Sequence, residues 1–226
     1  MYLLSYLREL FVDFLFPKSA KILELEALST DYLLDVLPPA ENLKDKYTWA
    51  LFNYNHPLVK EVVWEIKYKG NPQIARKIGV ILFDHIRQEL LDLAIFEKWD
   101  KSTSSDRRPI LLPMPISDKR RFERGWNQAE LLVKEIMVHD RDKIFKYLPK
   151  QLVKYRHTES QTTTASRNER LKNIVDSMKI LNPSSVAGAC VIILDDVTTT
   201  GATFAEARRA LRAAGARKIL CIAVAH

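Results

Sequence analysis

Two carboxylates side by side, Asp195 and Asp196, end the apolar run Val191-Ile192-Ile193-Leu194 and precede the turn Val197-Thr198-Thr199-Thr200-Gly201-Ala202-Thr203. Adjacent carboxylates at a strand end repel each other and are costly to bury unpaired. Ribose hydroxyls, or a hydrated Mg2+ held directly or through water, resolve both problems. The turn has the composition of a phosphate cradle. Thr199, Thr200 and Thr203 offer hydroxyl donors, and Gly201 lets backbone approach a ligand without a Cβ in the way. A helix starting at Ala202 aims its unpaired N–H groups and its positive end at the same place. The plainer alternative makes Asp196 a cap for the turn, which leaves the rest of the string unexplained. A Walker A loop is excluded, because no Lys follows the glycine.

A second cluster is Lys119-Arg120-Arg121-Phe122-Glu123-Arg124-Gly125-Trp126-Asn127-Gln128. It suits a diphosphate, whose oxygens arginine forks grip in pairs. Arg120, Arg121 and Arg124 are the candidate grips, with Gly125, Asn127 and Gln128 beside them. A solvated charge run is the alternative. Trp126 reads as a packing anchor rather than a stacking platform. A third stretch, 155–173, is polar and without periodicity, and carries Arg156, His157, Arg167, Arg170 and Lys172. Long polar loops inside a compact domain are usually functional or mobile.

These residues need strands and helices to position them. Residues 49–54 suggest a short strand, followed by a helix with Leu58, Val59, Val62, Val63 and Ile66 on one face, Pro57 in its first turn and Gly70 past its end. A second helix is expected over 72–93 and a polar loop over 101–108. Ile110-Leu111-Leu112 is a short buried strand, stopped by Pro113-Met114-Pro115, after which residues 117–128 read as a basic loop. Ala129, Leu132, Val133, Ile136 and Met137 mark another helix. Strands at 191–194 and 219–225 flank a helix over 202–214 that Gly215 stops. Strands alternating with helices imply an α/β fold with a mostly parallel sheet. Residues 17–48 read as a connector. Leu3, Leu4, Leu7, Leu10, Phe11, Phe14 and Leu15 fit an amphipathic helix over 2–16, which carries Arg8, Glu9 and Asp13 and so does not resemble a signal peptide.

Composition narrows the function classes. The chain has 226 residues, is 47% hydrophobic and contains 21 aromatic residues, which excludes disorder as its main state. No apolar run approaches the roughly 18 residues of a membrane span. The net charge of +7 suits anionic partners such as phosphates or nucleic acid. The two cysteines, Cys190 and Cys221, adjoin apolar runs and form no C-x-x-C pair, so they read as buried free thiols, and a reducing, cytoplasmic location is expected. No cysteine zinc site is available within one chain. His157 is a candidate acid or base, although a lone surface histidine is more often neither, and the other histidines, 56, 85, 139 and 226, show no ligand spacing.

The carboxylate–threonine string resembles the ribose-phosphate signature of the type I phosphoribosyltransferases. The resemblance extends to one subfamily, the ComF-type competence proteins. It is carried, in order, by Trp49-Ala50-Leu51-Phe52-Asn53-Tyr54, Ile66-Lys67-Tyr68-Lys69-Gly70, Pro113-Met114-Pro115 and Arg124-Gly125-Trp126-Asn127-Gln128. Arg156, Thr158, Gln161, Ser166-Arg167-Asn168-Glu169-Arg170 and Asn173 continue it, and together the strings span about residues 49–226. The resemblance implies a type I phosphoribosyltransferase-like domain over 49–226, a mostly parallel sheet flanked by helices, with residues 1–48 as an N-terminal helical or hood appendage.

It also implies roles. Asp195 and Asp196 would bind the ribose hydroxyls of phosphoribosyl pyrophosphate and Mg2+. Thr198, Thr199, Thr200, Gly201, Ala202 and Thr203 would hold the 5-phosphate, and residues 120–128 the diphosphate. Residues 155–173 would correspond to a flexible loop that closes over the site, with Arg156 and Arg167 as catalytic candidates alongside the two acids. The implied reaction transfers a phosphoribosyl group to an unknown nitrogenous acceptor with release of diphosphate. A non-catalytic sensing or DNA-uptake protein, with single-stranded DNA or a competence-machinery protein as partner, is the second expectation. The acceptor and the oligomeric state stay open. Two departures stand out. Ala20 and Leu23 occupy the positions where the subfamily's zinc knuckle begins, so no zinc is expected. Thr199 stands where purine-salvage relatives place an Asp.

Overall fold

The computed structural model describes residues 17–41, 43, 45–96, 108–155 and 176–226. The helix expected over 2–16, most of the polar loop at 101–108, and the polar stretch from Arg156 to Asn173 lie outside the described residues.

Among the described residues seven strands form: β1 Thr48–Phe52, β2 Ile110–Pro113, β3 Lys146–Tyr147, β4 Leu152–Lys154, β5 Met178–Ile180, β6 Cys190–Val197 and β7 Lys218–Ala225. Five make one sheet in the order β1-β7-β6-β2-β3, with every neighbouring pair parallel. β4 and β5 pair antiparallel as a separate hairpin. A parallel sheet is covered on both faces, so its central strands read as continuous apolar runs. β6 and β7 show this, and the two-residue period sorts their side chains between two cores. Ile192, Leu194, Leu220 and Ile222 fall on one face, while Val191, Ile193, Ile219 and Cys221 fall on the other.

The helices are α1 Ala20–Ala27, α2 Thr30–Val36, α3 Pro57–Trp64, α4 Pro72–Phe96, α5 Asp118–Arg124, α6 Gln128–His139 and α7 Ala202–Ala213. The first face is covered by α3, α4 and α6 through Val59, Val62, Ile78, Leu82, Leu132 and Ile136. The second is covered by α7 through Phe204, Ala207 and Leu211, and by the β4–β5 hairpin through Leu152, Met178 and Ile180. No helix among the described residues is long and apolar enough to cross a membrane.

Residues 17–48 are more than a connector. Ser19 and Ser29 cap α1 and α2 by accepting from the backbone N–H groups of Ile22 and Tyr32. Ile22, Leu25 and Leu33 are buried in the same core as α3 and α4. Helices of eight and seven residues are too short for periodicity to reveal.

Strand order reverses between β2 and β6. From β2 the chain continues outward to β3, whereas from β6 it continues to β7 on the other side. In open α/β sheets a crevice opens at such a point, beyond the carboxyl ends of the strands. Pro113 is in register with Leu194, and Met114 N donates to Leu194 O at 2.8 Å. The segments that leave β2 and β6 therefore start side by side at that end of the sheet.

Candidate functional site

β6 runs to Val197, so Asp195 and Asp196 lie within the strand rather than after it. They are 9% and 6% exposed. Although successive strand residues start out toward opposite sides, the two carboxyls still interact side chain to side chain. Asp195 Oδ1 accepts from the Asp196 N–H at 2.9 Å. Burial, reinforced by the negative charge of Asp196, pushes the Asp195 carboxyl well above the usual carboxylate range, against the pull of Lys67. Asp196 Oδ2 is buried and makes no hydrogen bond among the described residues. Lys67 Nζ stands 3.5 Å from it. The capping role considered for Asp196 is overturned, because the N-cap of α7 is Gly201 and no side chain caps it.

The turn after β6 is fixed at one end. Thr198 N donates to Ala225 O at 3.0 Å, and the His226 ring Nδ1 lies 3.0 Å from Thr198 O. Thr198 is buried, Thr199 and Thr200 are exposed, and Thr200 Oγ1 accepts from Ala202 N at 3.4 Å. Gly201 has φ 72°, and a Cβ there would meet nothing within 4 Å. The glycine is thus required by its left-handed backbone, not by crowding in the bare protein. The first N–H groups of α7, Thr203 among them, have no carbonyl of their own helix to bond, and no side chain caps them from Gly201.

The basic segment expected as a loop is the helix α5. Ser117 caps it and Gly125 ends it. None of its residues is buried, so no apolar stripe marks it. Arg120 is exposed, and among the described residues its side chain makes no hydrogen bond or ion pair. Its charge lowers the affinity of the neighbouring Lys154 for its proton, after burial, which is the larger cause. Arg121 pairs with Glu130 at 3.0 Å. Arg124 donates to Gln128 Oε1 at 3.1 Å and lies 5.3 Å over the Tyr68 ring. Asn127 and Gln128, expected at a diphosphate, are buried and engaged in the fold. Asn127 donates to Met114 O at 2.9 Å and accepts from Ala129 N at 3.0 Å, capping α6.

Lys67 is the functional candidate that its sequence left without a role. It lies in a π turn, Glu65–Lys69, that continues α3. Single-turn π segments recur at functional sites. Gly70 closes this one at φ 63°, where a Cβ would lie 3.1 Å from the Trp126 ring. Trp126 Nε1 donates to Ile66 O at 3.2 Å, which confirms it as a packing anchor. The signal in the sequence was the string Ile66–Gly70 itself, but nothing local shows that it meets a strand more than a hundred residues away.

Arg156, Arg167, His157, Arg170 and Lys172 lie outside the described residues. The positions bordering that stretch are tied to α7 and to each other. Tyr155 N donates to Ser177 O at 3.0 Å, Glu206 Oε1 accepts from Met178 N at 3.0 Å, and Arg209 pairs with Asp176 at 3.1 Å. A groove of about 1010 Å³ runs elsewhere, along the β1 edge past Leu34, Trp49, Leu51 and His85, and includes neither carboxylate.

No family model matches the chain. Competence protein ComFC of Bacillus subtilis (strain 168) is 28% identical over 164 residues, 72% of this chain and 56% of that protein. Competence protein F of Haemophilus influenzae is 28% identical over 186 residues, 78% of this chain and 73% of that protein. DNA utilization protein YhgH of Escherichia coli O6:H1 is 25% identical over 165 residues, 72% of this chain and 65% of that protein. The likeness is to the ComF-type competence proteins. The chain spans a little over half the length of the Bacillus protein. Among solved structures, glutamine phosphoribosylpyrophosphate amidotransferase from B. subtilis aligns with a TM-score of 0.38 at 18% identity, over 71% of this chain and 30% of that one. An asparagine mutant of an HPRT aligns with a TM-score of 0.35 at 11% identity, over 73% of this chain and 65% of that one.

Three of the strings that carry the ComF-type likeness, Ile66–Gly70, Pro113–Pro115 and Arg124–Gln128, meet at the end of β6. Ile66 accepts from Trp126, Met114 O from Asn127, and Leu194 O from Met114, while Lys67 faces Asp196. Four segments distant in sequence thus build one crevice wall.

Proposed function

We propose that the crevice binds phosphoribosyl pyrophosphate with Mg2+, and that the protein is a phosphoribosyltransferase acting on a nitrogenous acceptor. The observation that carries this is the buried pair Asp195 and Asp196 just before the N-terminus of α7, with Lys67 beside Asp196 and Arg124 of α5 over the adjoining Tyr68 ring, at the point where strand order reverses. The chemistry of the donors fits Mg2+. Asp196 Oδ2 is a hard oxygen without a hydrogen bond among the described residues, and Mg2+ commonly takes one or two carboxylates plus phosphate oxygens and water. When bound, Mg2+ neutralises charge on the diphosphate.

In this reading Asp195 and Asp196 accept from the ribose 2- and 3-hydroxyls and fix the ring. The N–H groups and hydroxyls of Thr199–Thr203 hold the 5-phosphate. Arg120, unpaired among the described residues, reaches the diphosphate most freely. Arg121 and Arg124 would have to leave Glu130 and Gln128 to do so. Charge building on the leaving diphosphate meets preorganised cations, the usual source of such catalysis. Arg156 and Arg167 are proposed to complete that set. The protein is further proposed to work in the cytoplasm.

Thermal denaturation tests the reading. Phosphoribosyl pyrophosphate with Mg2+ should raise the melting temperature, by mass action on the native state, and ligand without metal should raise it less. No shift with metal and ligand at millimolar concentration counts against the site. Gly201→Ala should cost roughly 1–2 kcal/mol of stability, because a Cβ is placed in the left-handed region. It should also weaken ribose 5-phosphate and phosphoribosyl pyrophosphate alike. Denaturant titration and calorimetry read the two effects.

No zinc is expected. Burial pushes the Cys190 and Cys221 thiols to about 11 and about 12, away from the thiolate form that binds metal. Metal analysis of the purified chain should find less than one zinc per ten chains; one per chain contradicts the proposal.

A second reading, single-stranded DNA binding in an uptake role, is favoured by Phe122. This ring is 92% exposed on a helix that also presents Lys119, Arg120 and Arg121, and exposed aromatics among cations stack successive bases. A steep fall of oligonucleotide affinity with salt, and its loss in Phe122→Ala, would support that role; binding by Phe122→Ala equal to the parent rejects it.

A further inference from the structure

Lys67 stands in a fixed turn with a movable head. Its backbone is held by the bond from Trp126 to Ile66, by the close fit of Gly70 under the Trp126 ring, and by Lys69, whose Nζ lies 3.3 Å from buried Glu65. Its side chain is 26% exposed, so the ammonium has a way out to solvent. At 3.5 Å from Asp196 Oδ2 the contact is an ion pair too long for a normal hydrogen bond. That oxygen is otherwise without a bond among the described residues. A divalent cation bound to the same oxygen would sit about 2.1 Å from it. An ammonium and a divalent cation that close to one oxygen repel each other strongly.

We propose that Lys67 is the resident counter-cation of the acid pair and competes with the metal for Asp196, so that metal entry is an exchange in which the Lys67 head swings out. The inference rests on the reading of Asp195 and Asp196 as the metal- and ribose-binding pair. It explains how two neighbouring carboxylates are tolerated in the bare fold, and why loading would require ligand and metal together: the metal alone must displace a tethered cation. The Tyr68 ring already lies 5.8 Å from Lys67 Nζ and also meets Arg124 at 5.3 Å, so the displaced head turns out to solvent.

The test uses Mn2+ as the probe, with no ribose ligand, and reads free Mn2+ by its paramagnetic resonance signal. Lys67→Met should tighten Mn2+ binding by at least about tenfold, because an opposite charge at this range is worth one to three powers of ten in the affinity of a carboxylate for a cation. Lys67→Gln, run in parallel in case the apolar variant folds poorly, should do the same. Lys67→Arg should bind as the parent does, and Lys67→Met with Asp196→Asn should bind no tighter than the parent. Mn2+ affinity that is unchanged or weaker in both neutral variants overturns the exchange, even if phosphoribosyl pyrophosphate binds. A parent protein that fails to bind phosphoribosyl pyrophosphate overturns the proposed function instead, whatever the Mn2+ titrations show.

Discussion

Asp195→Asn combined with Asp196→Asn should abolish phosphoribosyl pyrophosphate binding and, in the same protein, raise the stability of the ligand-free fold. The loss of binding follows from removing both acceptors of the ribose hydroxyls and the charge that attracts metal. Each charge-assisted bond is worth roughly 1.5–3 kcal/mol, so losing two should weaken binding by more than about a hundredfold. The gain in stability follows from the pair's environment. Burial and the charge of Asp196 raise the Asp195 carboxyl's affinity for its proton in the folded state. A group with a raised folded value favours the fold fully below its unfolded value, near 3.9, and that contribution is lost as pH rises through the folded value. At neutral pH the ligand-free protein therefore carries an electrostatic strain that asparagines lack. The melting temperature should rise by about 2–4 °C per kcal/mol relieved in a chain of this size. As pH rises from about 4 through the neutral range the parent should lose this part of its stability, and the double variant should not. Thermal scans across that range, with calorimetric titration, check both halves. A double variant that binds as the parent does, or one less stable at neutral pH, goes against the role assigned to the pair.

The second large effect concerns α5 and separates diphosphate binding from generic charge. Arg120→Ala should weaken phosphoribosyl pyrophosphate roughly 10- to 150-fold, the range of one charge-assisted contact. It should leave ribose 5-phosphate nearly unchanged, since that ligand lacks the diphosphate. Arg121→Ala and Arg124→Ala should show a smaller contrast between ligands, because their guanidinium groups already bond Glu130 and Gln128. Calorimetric titrations of both ligands into each variant give the comparison. Equal losses for the two ligands in Arg120→Ala would mean that α5 acts through net charge, and would favour the nucleic-acid role of this face.

The legible and illegible parts of the molecule differ in where their physics resides. β6 and β7 were readable because a strand buried on both faces must be apolar throughout, and Asp195 and Asp196 were conspicuous because they break that rule at a strand end. The helix α5 was not readable. It is seven residues long and buries no side chain, so a helix made only of exposed residues looks like a charged loop. Ser117 before it and Gly125 after it were the available signals. β3, β4 and β5, at two or three residues each, are too short to show alternation. Position within a string points Asn127 and Gln128 toward a ligand, whereas their hydrogen bonds serve α6 and Arg124. Lys67 acquires its role only through tertiary packing, when the π turn carries it to the end of a strand far along the chain.

The proposed site is one crevice, at the carboxyl ends of β2 and β6, that holds phosphoribosyl pyrophosphate by its three parts. A crystal structure of the protein with phosphoribosyl pyrophosphate and Mg2+ tests it most directly. The expected density places the 5-phosphate on the N–H groups of 199–203, the ribose hydroxyls at Asp195 and Asp196, and the diphosphate toward Arg120. Ligand density elsewhere, or an empty crevice at saturating ligand, would contradict it.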